Sequence, residues 1–397
     1  MRLAIFLDQL FWRSGGVLST NEAYALFFKR MATHFEQVIF IGREAPEPGC
    51  ASFNLNHPRI SFCPIPYYEN LYQFWRVHPR FYLDIRHIIG DAAKDWDAVL
   101  AHGPNPVGQM IAWQCESRGI PAIPVVRQNL VKMMGAHRGA KRVAATLAAW
   151  ALEQNFKRLA RRRSTLAVGM EMAQIYRRVS EKVHTYMPCL IDDAQFQSFS
   201  SSPPSSDRTR IIVVGRLSSE KGHRYLLKAL SLLKSSGLIC HLDVVGSGPL
   251  EEGLRRLAVE LTLQQQIAFH GYVGFGPELF QLYRQAGVTV LPSLTEGLPQ
   301  IINESLAIGL PTIATNVGGV PWFLKHEETA LLVPPADATA LASAIERLVL
   351  DGPLCSRLSV NGRRLMAKNT LEANQEIVMK VIRDEIYGSK SRLPLCA

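Results

Sequence analysis

Four charged side chains in the second half of the 397-residue chain could together hold a phosphorylated sugar. Arg216 and Lys221 follow an apolar run that is typical of a strand, and an arginine fork with a lysine ammonium suits the oxygens of a diphosphate. Glu304 could accept both hydroxyls of a ribose, and Glu296 those of a bound hexose. The alternatives are surface cations, a helix N-terminal acid at Glu296 and a solvated side chain at Glu304.

Glu304 is predicted to lie on a largely apolar helix, for which Pro299 suits the first turn. Ile302 and Leu306 would bury this helix against a core. A carboxylate on it must therefore face a binding cleft or find a partner, because an unpaired buried charge is costly.

Two glycine-containing loops follow other predicted strands. Gly246 and Gly248 form a tight turn before a helix, which could contact an anion or merely connect two elements. The stretch Thr315–Pro321 offers backbone amides at another helix start, and an anion could reach them as well.

Short apolar runs alternate with helical patterns in both halves of the chain, which predicts an α/β fold with parallel sheets. We expect two Rossmann-like doubly wound domains that face each other across a cleft, with ligands at the carboxyl ends of the strands. Ser198–Thr209 lacks apolar periodicity and is interpreted as a linker. The predicted boundaries are 1–200 for the N-terminal domain, 201–209 for the linker, 210–370 for the C-terminal domain, and 371–397 for a helix that could cross back.

The composition, 47% hydrophobic and 20% charged residues, is typical of a globular enzyme and excludes a disordered chain. Asp8 interrupts the apolar start Leu3–Leu7, which favours a buried first strand over a signal peptide. The seven cysteines are scattered and contain no Cys-x-x-Cys pair, so we expect a reducing cytoplasm and no metal site.

A basic segment in the first half contributes strongly to the net charge of +10. Residues 127–163 contain ten Lys and Arg and one acid, which by charge alone fits an anionic membrane, a phosphate-bearing acceptor, nucleic acid or a solvated helix face. Trp150 and Phe156 are too few aromatics for nucleic acid, so membrane docking is the preferred explanation and acceptor binding the alternative. The patch consists of Lys157, Arg158, Arg161, Arg162 and Arg163.

Several motifs resemble those of glycosyltransferase family 4, a group of retaining enzymes with the GT-B fold. In the second half they cover about residues 210–335 and occur in the family's order. They are Gly215-Arg216, Glu220-Lys221-Gly222, Gly246-x-Gly248-Pro249, Pro292-Ser293, the pair Glu296 and Glu304, and Gly318-Gly319-Val320-Pro321. In the first half, Ser14-Gly15-Gly16 resembles the family's glycine loop, and 186–192 resembles the stretch before its linker.

The resemblance implies a role for each matching residue. Arg216 and Lys221 would hold the diphosphate and offset the charge of the leaving group in place of a metal ion. Glu304 would bind the ribose and Glu296 the donor sugar. His102 would contact the sugar, although a histidine before Gly103-Pro104 is by itself equally a turn residue. The other donor-binding residues would be Gly15 and Gly16 over the phosphates, Tyr272 and Val273 near the base, and Gly215, Gly246, Gly297 and Leu298.

The resemblance thus implies a retaining, metal-independent hexosyltransferase without a cofactor. Its co-substrate would be a nucleotide diphosphate sugar, with the base open between uridine and guanosine. A glycan or lipid-linked acceptor would bind on the side of residues 1–200, in cell-surface polysaccharide or lipopolysaccharide synthesis. We expect a cytoplasmic protein. A peripheral position at the inner face of the membrane is compatible with this expectation.

Two departures from the family pattern leave the sugar and the acceptor open. Trp322 stands where the family often has an acid, and residues 125–129 lack a histidine that is often found there. The alternatives are a sugar phosphorylase or nucleotide-sugar epimerase of the same fold, or a non-catalytic nucleotide-sugar-binding subunit. A Rossmann dehydrogenase is disfavoured, because Ser14-Gly15-Gly16 is not a Gly-x-Gly-x-x-Gly turn.

Overall fold

A computed structural model describes residues 1–49, 51–69, 81–135, 141–201, 203–297 and 299–390. Contacts between residues divide the chain into two compact units. The first comprises Met1–Pro188 and the chain from Asn374 onward, and the second comprises Cys189–Ala373. Each unit contains a parallel sheet with helices in the crossovers, so the prediction of an α/β fold with two Rossmann-like domains is confirmed.

The first unit is built on a sheet in which β3, β1, β6, β7, β8 and β9 run parallel. Strand β5 joins β3 at one edge, while β2 and β4 add antiparallel pairs to the far end of β1. The strands are β1 Arg2–Ser14, β2 Val17–Thr20, β3 Gln37–Glu44, β4 Phe53–Asn54, β5 Ile60–Ile65, β6 Ala98–Gly103, β7 Ala122–Val126, β8 Thr165–Val168 and β9 Val183–Tyr186. The helices are α1 Tyr24–Met31, α2 Phe81–Ala92, α3 Pro106–Glu116, α4 Leu130–Gly135, α5 Lys141–Arg162 and α6 Gly169–Arg177.

The first strand is longer than the predicted Leu3–Leu7. Its pairing with β3 shifts between Phe6 and Leu10 and then continues, so Asp8 lies at an irregularity in the strand. There the Asp8 carboxylate accepts hydrogen bonds from the Tyr68 hydroxyl and from the Asn105 side-chain amide, each at 2.6 Å. Asp8 therefore ends the apolar run, as its charge indicates, without ending the strand.

The second unit has six parallel strands in the order β12-β11-β10-β13-β14-β15. Alternate crossovers place helices on both faces of the sheet, and their apolar sides form two buried clusters. The strands are β10 Arg210–Val214, β11 His241–Val245, β12 Ile267–Gly271, β13 Val288–Leu291, β14 Thr312–Thr315 and β15 Leu331–Val333. The helices are α7 Asp193–Ser200, α8 His223–Ser235, α9 Glu251–Glu260, α10 Pro277–Gln285, α11 Gln300–Ile308, α12 Val320–Phe323, α13 Ala338–Leu350 and α14 Gly352–Met366.

The division between the units falls before the predicted linker. Helix α7 starts with a capping box between Asp192 and Gln195 and occupies the beginning of the stretch interpreted as a linker. Phe199 of α7 packs edge-on against Phe280, with ring centroids 5.1 Å apart, so this helix belongs to the second unit. The last helix, α15 Leu371–Lys390, passes from the second unit to the first.

No helix among the described residues combines the length and the hydropathy of a membrane span. The described cysteines are buried thiols outside any disulfide bond: Cys63, Cys115, Cys189, Cys240 and Cys355.

Candidate active site

The four loops of the second unit that contain the predicted donor-binding motifs follow neighbouring strands of one parallel sheet. Strands β11, β10, β13 and β14 are adjacent and parallel, so the loops after them emerge at the same edge. Backbone contacts join these loops directly: the Gly215 amide donates to the Val245 carbonyl at 2.9 Å, and the Leu294 amide donates to the Glu220 carbonyl at 2.7 Å. This edge is where a doubly wound sheet binds its ligands.

Lys221 and Glu296 meet at this edge in an ion pair. The Lys221 Nζ lies 2.6 Å from Glu296 Oε1, and the Ser293 hydroxyl donates to the same oxygen at 2.7 Å. The Glu296 side chain is only 7% exposed, whereas that of Lys221 is 26% exposed. The carboxylate is therefore fixed from two sides, while the ammonium keeps donor directions toward solvent.

Gly222 allows Lys221 to approach the loop after β13. A short 3-10 turn, Ser219–Lys221, ends at Gly222, whose φ is 68°. A Cβ at this position would lie 2.0 Å from the Pro292 carbonyl oxygen, so only glycine fits there.

The loop after β14 supports the Glu296 loop from its other side. The Thr315 hydroxyl donates to the Ser293 carbonyl at 2.5 Å, and the Gly319 amide donates weakly to the Glu296 carbonyl at 3.4 Å. Gly318 has a φ of 53°, and a Cβ there would lie 1.8 Å from the Glu296 carbonyl oxygen. The amides of this loop are thus partly used to hold Glu296.

Arg216 contributes an exposed cation beside this network. Its side chain has no hydrogen-bond or ion-pair partner among the described residues, and its charge lowers the pKa of Glu220 after the larger effect of the Ser218 hydroxyl. Arg216, Lys221 and Glu296 together carry one net positive charge. Among the described residues, an anion at this edge would therefore meet Arg216, which forms no ion pair, and Lys221, which is shared with Glu296.

Glu304 is buried inside the second unit with a partner of its own. Only 6% of the residue is exposed, and Glu304 Oε2 accepts a hydrogen bond from the hydroxyl of the fully buried Tyr283 at 2.6 Å. Burial raises the pKa of Glu304 to about 7, against the opposing effect of the Tyr283 hydrogen bond. The solvated alternative for Glu304 is therefore wrong. Within the described residues, no hydrogen bond or ion pair joins Glu304 to the Lys221–Glu296 pair.

The other predicted donor-binding residues of the second unit differ in exposure. Tyr272 is 58% exposed just after β12, and Val273 packs partly against the core. Gly246 has a φ of 136°, and a Cβ there would lie 1.9 Å from the Gly215 carbonyl oxygen. Gly297 is exposed, and Leu298 lies outside the described residues. No cluster of three potential metal ligands occurs in the described part of the chain.

In the first unit, Gly15 and Gly16 form the turn of the β1–β2 hairpin. Their φ angles of 55° and 78° are those of a two-residue hairpin turn, which glycine adopts without strain. The Gly16 carbonyl accepts a hydrogen bond from the Asn56 side-chain amide, Nδ2, at 3.1 Å. Gly16 also lines a cavity of about 510 Å³ with Arg13, Asn56 and His57.

His102 lies at the end of β6, in a buried aromatic cluster of the first unit. Its Nε2 is 2.9 Å from the Tyr24 hydroxyl, which also contacts the Tyr186 hydroxyl. Burial, and after it the charge of Arg127, lower the pKa of His102 well below its usual value, so the ring is neutral. A contact between His102 and a sugar remains a prediction, because the residue is only 5% exposed.

Two residues of the basic patch form ion pairs with carboxylates, and the other three are exposed. Arg163 binds Glu116 through two nitrogens at 2.9 and 3.0 Å and lies 3.3 Å from Glu385, so it connects α5 to α3 and α15. Lys157 lies 3.7 Å from the buried Glu153. The exposed members of the patch are Arg158, Arg161 and Arg162.

Three supporting residues were given no role in the sequence analysis. Ser293 stands in a motif beside Glu296, so its position in the sequence was a usable signal. Tyr283 lies 21 residues before Glu304 on another helix, and Tyr24 lies 78 residues before His102. No local pattern indicates these two pairings.

Part of the chain matches a known family model, and nearly the whole chain resembles solved structures in fold. Residues 195–365, within the second unit, match the family model described as glycosyl transferases group 1. Over 97% of the chain and 100% of the other, the structure resembles HepE of Anabaena in complex with UDP and glucose, with a TM-score of 0.67 and 14% identity. The fold is thus that of the GT-B glycosyltransferases.

Curated relatives match part of the chain. An alpha-D-kanosaminyltransferase of Streptomyces kanamyceticus is 30% identical over 181 residues, which are 45% of this chain and 46% of the relative. A lipopolysaccharide core biosynthesis glycosyltransferase, LpsD of Rhizobium meliloti, is 32% identical over 157 residues, which are 40% of this chain and 44% of the relative. The chain spans less than half the length of these relatives.

Proposed function

We propose that this protein transfers a hexose from a nucleoside diphosphate sugar to a glycan or lipid-linked acceptor, with retention at the anomeric carbon and without a metal ion. The observation that carries the proposal is the fixed Lys221–Glu296–Ser293 network beside the exposed Arg216, at the carboxyl edge of a parallel sheet. The group 1 glycosyltransferase match covers this network, and HepE, which has the same fold, was solved with UDP and glucose.

In this proposal, Arg216 and Lys221 bind the diphosphate and stabilise the charge that develops on it as it leaves. Glu296 Oε1 is occupied by Lys221 and Ser293, whereas Oε2 accepts no hydrogen bond from the described residues. Oε2 would therefore accept hydroxyl groups of the donor sugar. Because Glu296 is already held by two donors, we assign it to sugar binding and not to nucleophilic attack.

Retention then follows from attack on the same face from which the phosphate leaves. The bond from the anomeric carbon to the phosphate oxygen breaks as the bond to the acceptor oxygen forms, and the acceptor proton passes to the departing phosphate. Lys221 and Arg216 stabilise that phosphate throughout. Glu304 would accept the ribose hydroxyls while Tyr283 keeps its carboxylate in position.

The acceptor class is proposed from the relatives and from the basic first unit. One relative is named for lipopolysaccharide core biosynthesis, and a glycan or lipid-linked acceptor would explain an exposed basic face. The biological setting that we propose is the synthesis of cell-surface polysaccharide or lipopolysaccharide at the cytoplasmic side of the membrane.

A panel of uridine and guanosine diphosphate sugars tests the donor. We expect one of the two base series to raise the melting temperature, because a ligand that binds only the folded state stabilises it. Slow hydrolysis of the same donor should persist in EDTA and should not require inorganic phosphate. A strict phosphate requirement would indicate a phosphorylase, and stabilisation by no member of the panel would contradict the assignment.

We further propose that α5 docks on an anionic lipid surface. Its residues Val143, Leu147 and Trp150 are exposed at helical spacing, and Arg158 and Arg161 continue the same face. Tryptophan prefers the membrane interface, and each arginine near an anionic surface contributes about 1 kcal/mol. Apolar and basic side chains on one face thus suit a lipid surface better than they suit water.

Sedimentation with vesicles tests this docking. We expect the protein to pellet with phosphatidylcholine vesicles that contain phosphatidylglycerol, and the variant Arg158→Ser/Arg161→Ser/Arg162→Ser to stay in the supernatant. A matched variant of the second unit, Lys228→Ser/Arg256→Ser, should still pellet. Binding that is independent of phosphatidylglycerol, or unchanged in the triple variant, would refute the proposal.

A further inference from the structure

Arg127 is held at the carboxyl end of the first unit's sheet by an aromatic ring. It follows β7 directly, and its guanidinium carbon lies 3.9 Å from the centroid of the Tyr24 ring. A cation over an aromatic face is attracted by the ring's negative centre, and this contact restricts a side chain that is otherwise among the most flexible. The guanidinium is therefore positioned before any ligand arrives.

The ring that holds Arg127 is itself fixed. Tyr24 is buried, and its hydroxyl contacts both His102 Nε2 and the Tyr186 hydroxyl. These residues come from α1, β6 and β9, so three separate elements determine where the ring lies. The platform beneath Arg127 thus belongs to the rigid part of the first unit.

The guanidinium has no counter-ion in the described part of the chain. Arg127 is partly exposed, and neither a hydrogen bond nor an ion pair joins it to a described residue. His102 beside it is neutral, and the tyrosines carry no charge. Arg163 of the same unit, in contrast, is paired with two carboxylates. A positioned arginine whose donors bind no described residue, at the ligand-binding edge of a parallel sheet, is suited to an oxyanion.

We infer that Arg127 binds an oxyanion of the acceptor, so that the acceptor is an acidic sugar that carries a carboxylate or a phosphate. This inference rests on the proposed transfer function and deepens it, because it names the acceptor class. The donor diphosphate has its own cations in the second unit, Arg216 and Lys221. Arg127 lies in the unit that we assign to the acceptor. Its planar fork matches either anion through two parallel hydrogen bonds.

Binding of three simple sugars to the full chain tests the inference. Glucose serves as the neutral probe, glucuronate as the carboxylate probe and glucose 6-phosphate as the phosphate probe, with affinities measured by calorimetry or by NMR titration. We expect at least one anionic sugar to bind about ten times more tightly than glucose, as is ordinary for a hydrogen bond to a charged group. Preferential binding of glucuronate would identify the anion as a carboxylate, and preferential binding of glucose 6-phosphate would identify it as a phosphate.

Variants locate the preference. Arg127→Gln should reduce the ratio of the affinities for the anionic sugar and for glucose to about one. Tyr24→Leu should lower this ratio because the aromatic ring beneath Arg127 is lost. Tyr24→Phe keeps the ring and should retain most of the preference. The matched control Arg86→Gln removes an exposed arginine of the same unit and should leave the preference intact. An absent preference in the wild type, or one that survives in Arg127→Gln, would overturn the inference.

A double variant shows whether the anionic sugar binds at Arg127 or at the donor cations of the second unit. In Arg216→Ala/Lys221→Ala we expect the preference for the anionic sugar to persist, because Arg127 is untouched. Loss of the preference in this variant would show that the probe binds at the donor cations, and the inference would be wrong. If the nucleotide-sugar panel fails while the Arg127-dependent preference persists, the transfer function fails and the oxyanion site does not.

Discussion

Replacement of Lys221 by alanine is expected to lower the rate of sugar transfer by about a hundredfold or more. The change removes a cation from the leaving diphosphate, and the loss of one such preorganised group typically costs two to three orders of magnitude. It also leaves the Glu296 carboxylate, 7% exposed, with Ser293 as its remaining donor among the described residues. Both effects act at the same site, because one nitrogen serves both the carboxylate and the proposed phosphate.

Steady-state kinetics with the donor identified by the panel provide the measurement. The loss should appear in kcat and in kcat/KM, because the charge on the leaving phosphate develops in the transition state. Lys228→Ala removes an exposed lysine of α8, the helix that follows Lys221, and it should keep wild-type rates. Urea unfolding of both variants separates a catalytic effect from a loss of folded protein. Near-wild-type turnover in Lys221→Ala would contradict the assigned role.

The pairing of Lys221 with Glu296 illustrates what the sequence could predict. Strand patterns predicted that both residues follow parallel strands, and adjacent parallel strands bring such loops to one edge. Lys221 and Glu296 were nevertheless predicted to bind separate parts of the donor, the cation the diphosphate and the acid the sugar. Their direct contact depends on Gly222, which lets one loop press against the carbonyl of Pro292. Close approach of two loops has no periodic signature in a sequence.

The surroundings of Glu304 were predictable only in part. The apolar helix correctly predicted that its carboxylate would need a cleft or a partner. The identity of Tyr283 was not predictable, because it depends on how α10 packs against α11. His102 is a similar case: its position at a strand end was predicted, but the contact with Tyr24 unites residues from distant parts of the chain. Packing between elements decides both environments.

The antiparallel additions to the first sheet were missed for a different reason. Strands β2 and β4 have only four and two residues, too few for any alternation to be recognised. The glycine pair at 15 and 16 was noticed as a phosphate loop of the family that the motifs resemble. In the structure the same pair forms the hairpin turn of β1 and β2, and the predicted role over the phosphates stays a prediction.

Replacement of Glu304 by glutamine is expected to weaken donor binding and, in the free protein, to increase stability at alkaline pH. A carboxylate that accepts two ribose hydroxyls binds more strongly than a neutral amide, so donor affinity should fall about tenfold to a hundredfold. Glutamine has nearly the same shape, and its carbonyl can still accept the Tyr283 hydrogen bond. Titration with the nucleoside diphosphate of the preferred base measures the loss.

The stability effect follows from the raised pKa. The pKa of Glu304 is about 7 in the folded state and is taken as the ordinary 4.5 in the unfolded chain. Between these two pH values, the folded protein therefore keeps a proton on Glu304 that the unfolded chain releases. Stability therefore falls as the pH rises from 4.5 to 7, and the whole cost is present above pH 7. Glutamine carries no such cost, so its advantage over the wild type should grow by about 2 kcal/mol between pH 5.5 and pH 8.

Urea unfolding of the ligand-free proteins at these two pH values measures the difference. The matched control Glu346→Gln changes an exposed glutamate of the same unit and should follow the wild type at both pH values. A constant difference between Glu304→Gln and the wild type across these pH values would contradict the raised pKa of Glu304. Stability gained together with affinity lost would indicate that this buried acid serves a ligand, because a residue kept only for folding would not destabilise the free protein at neutral pH.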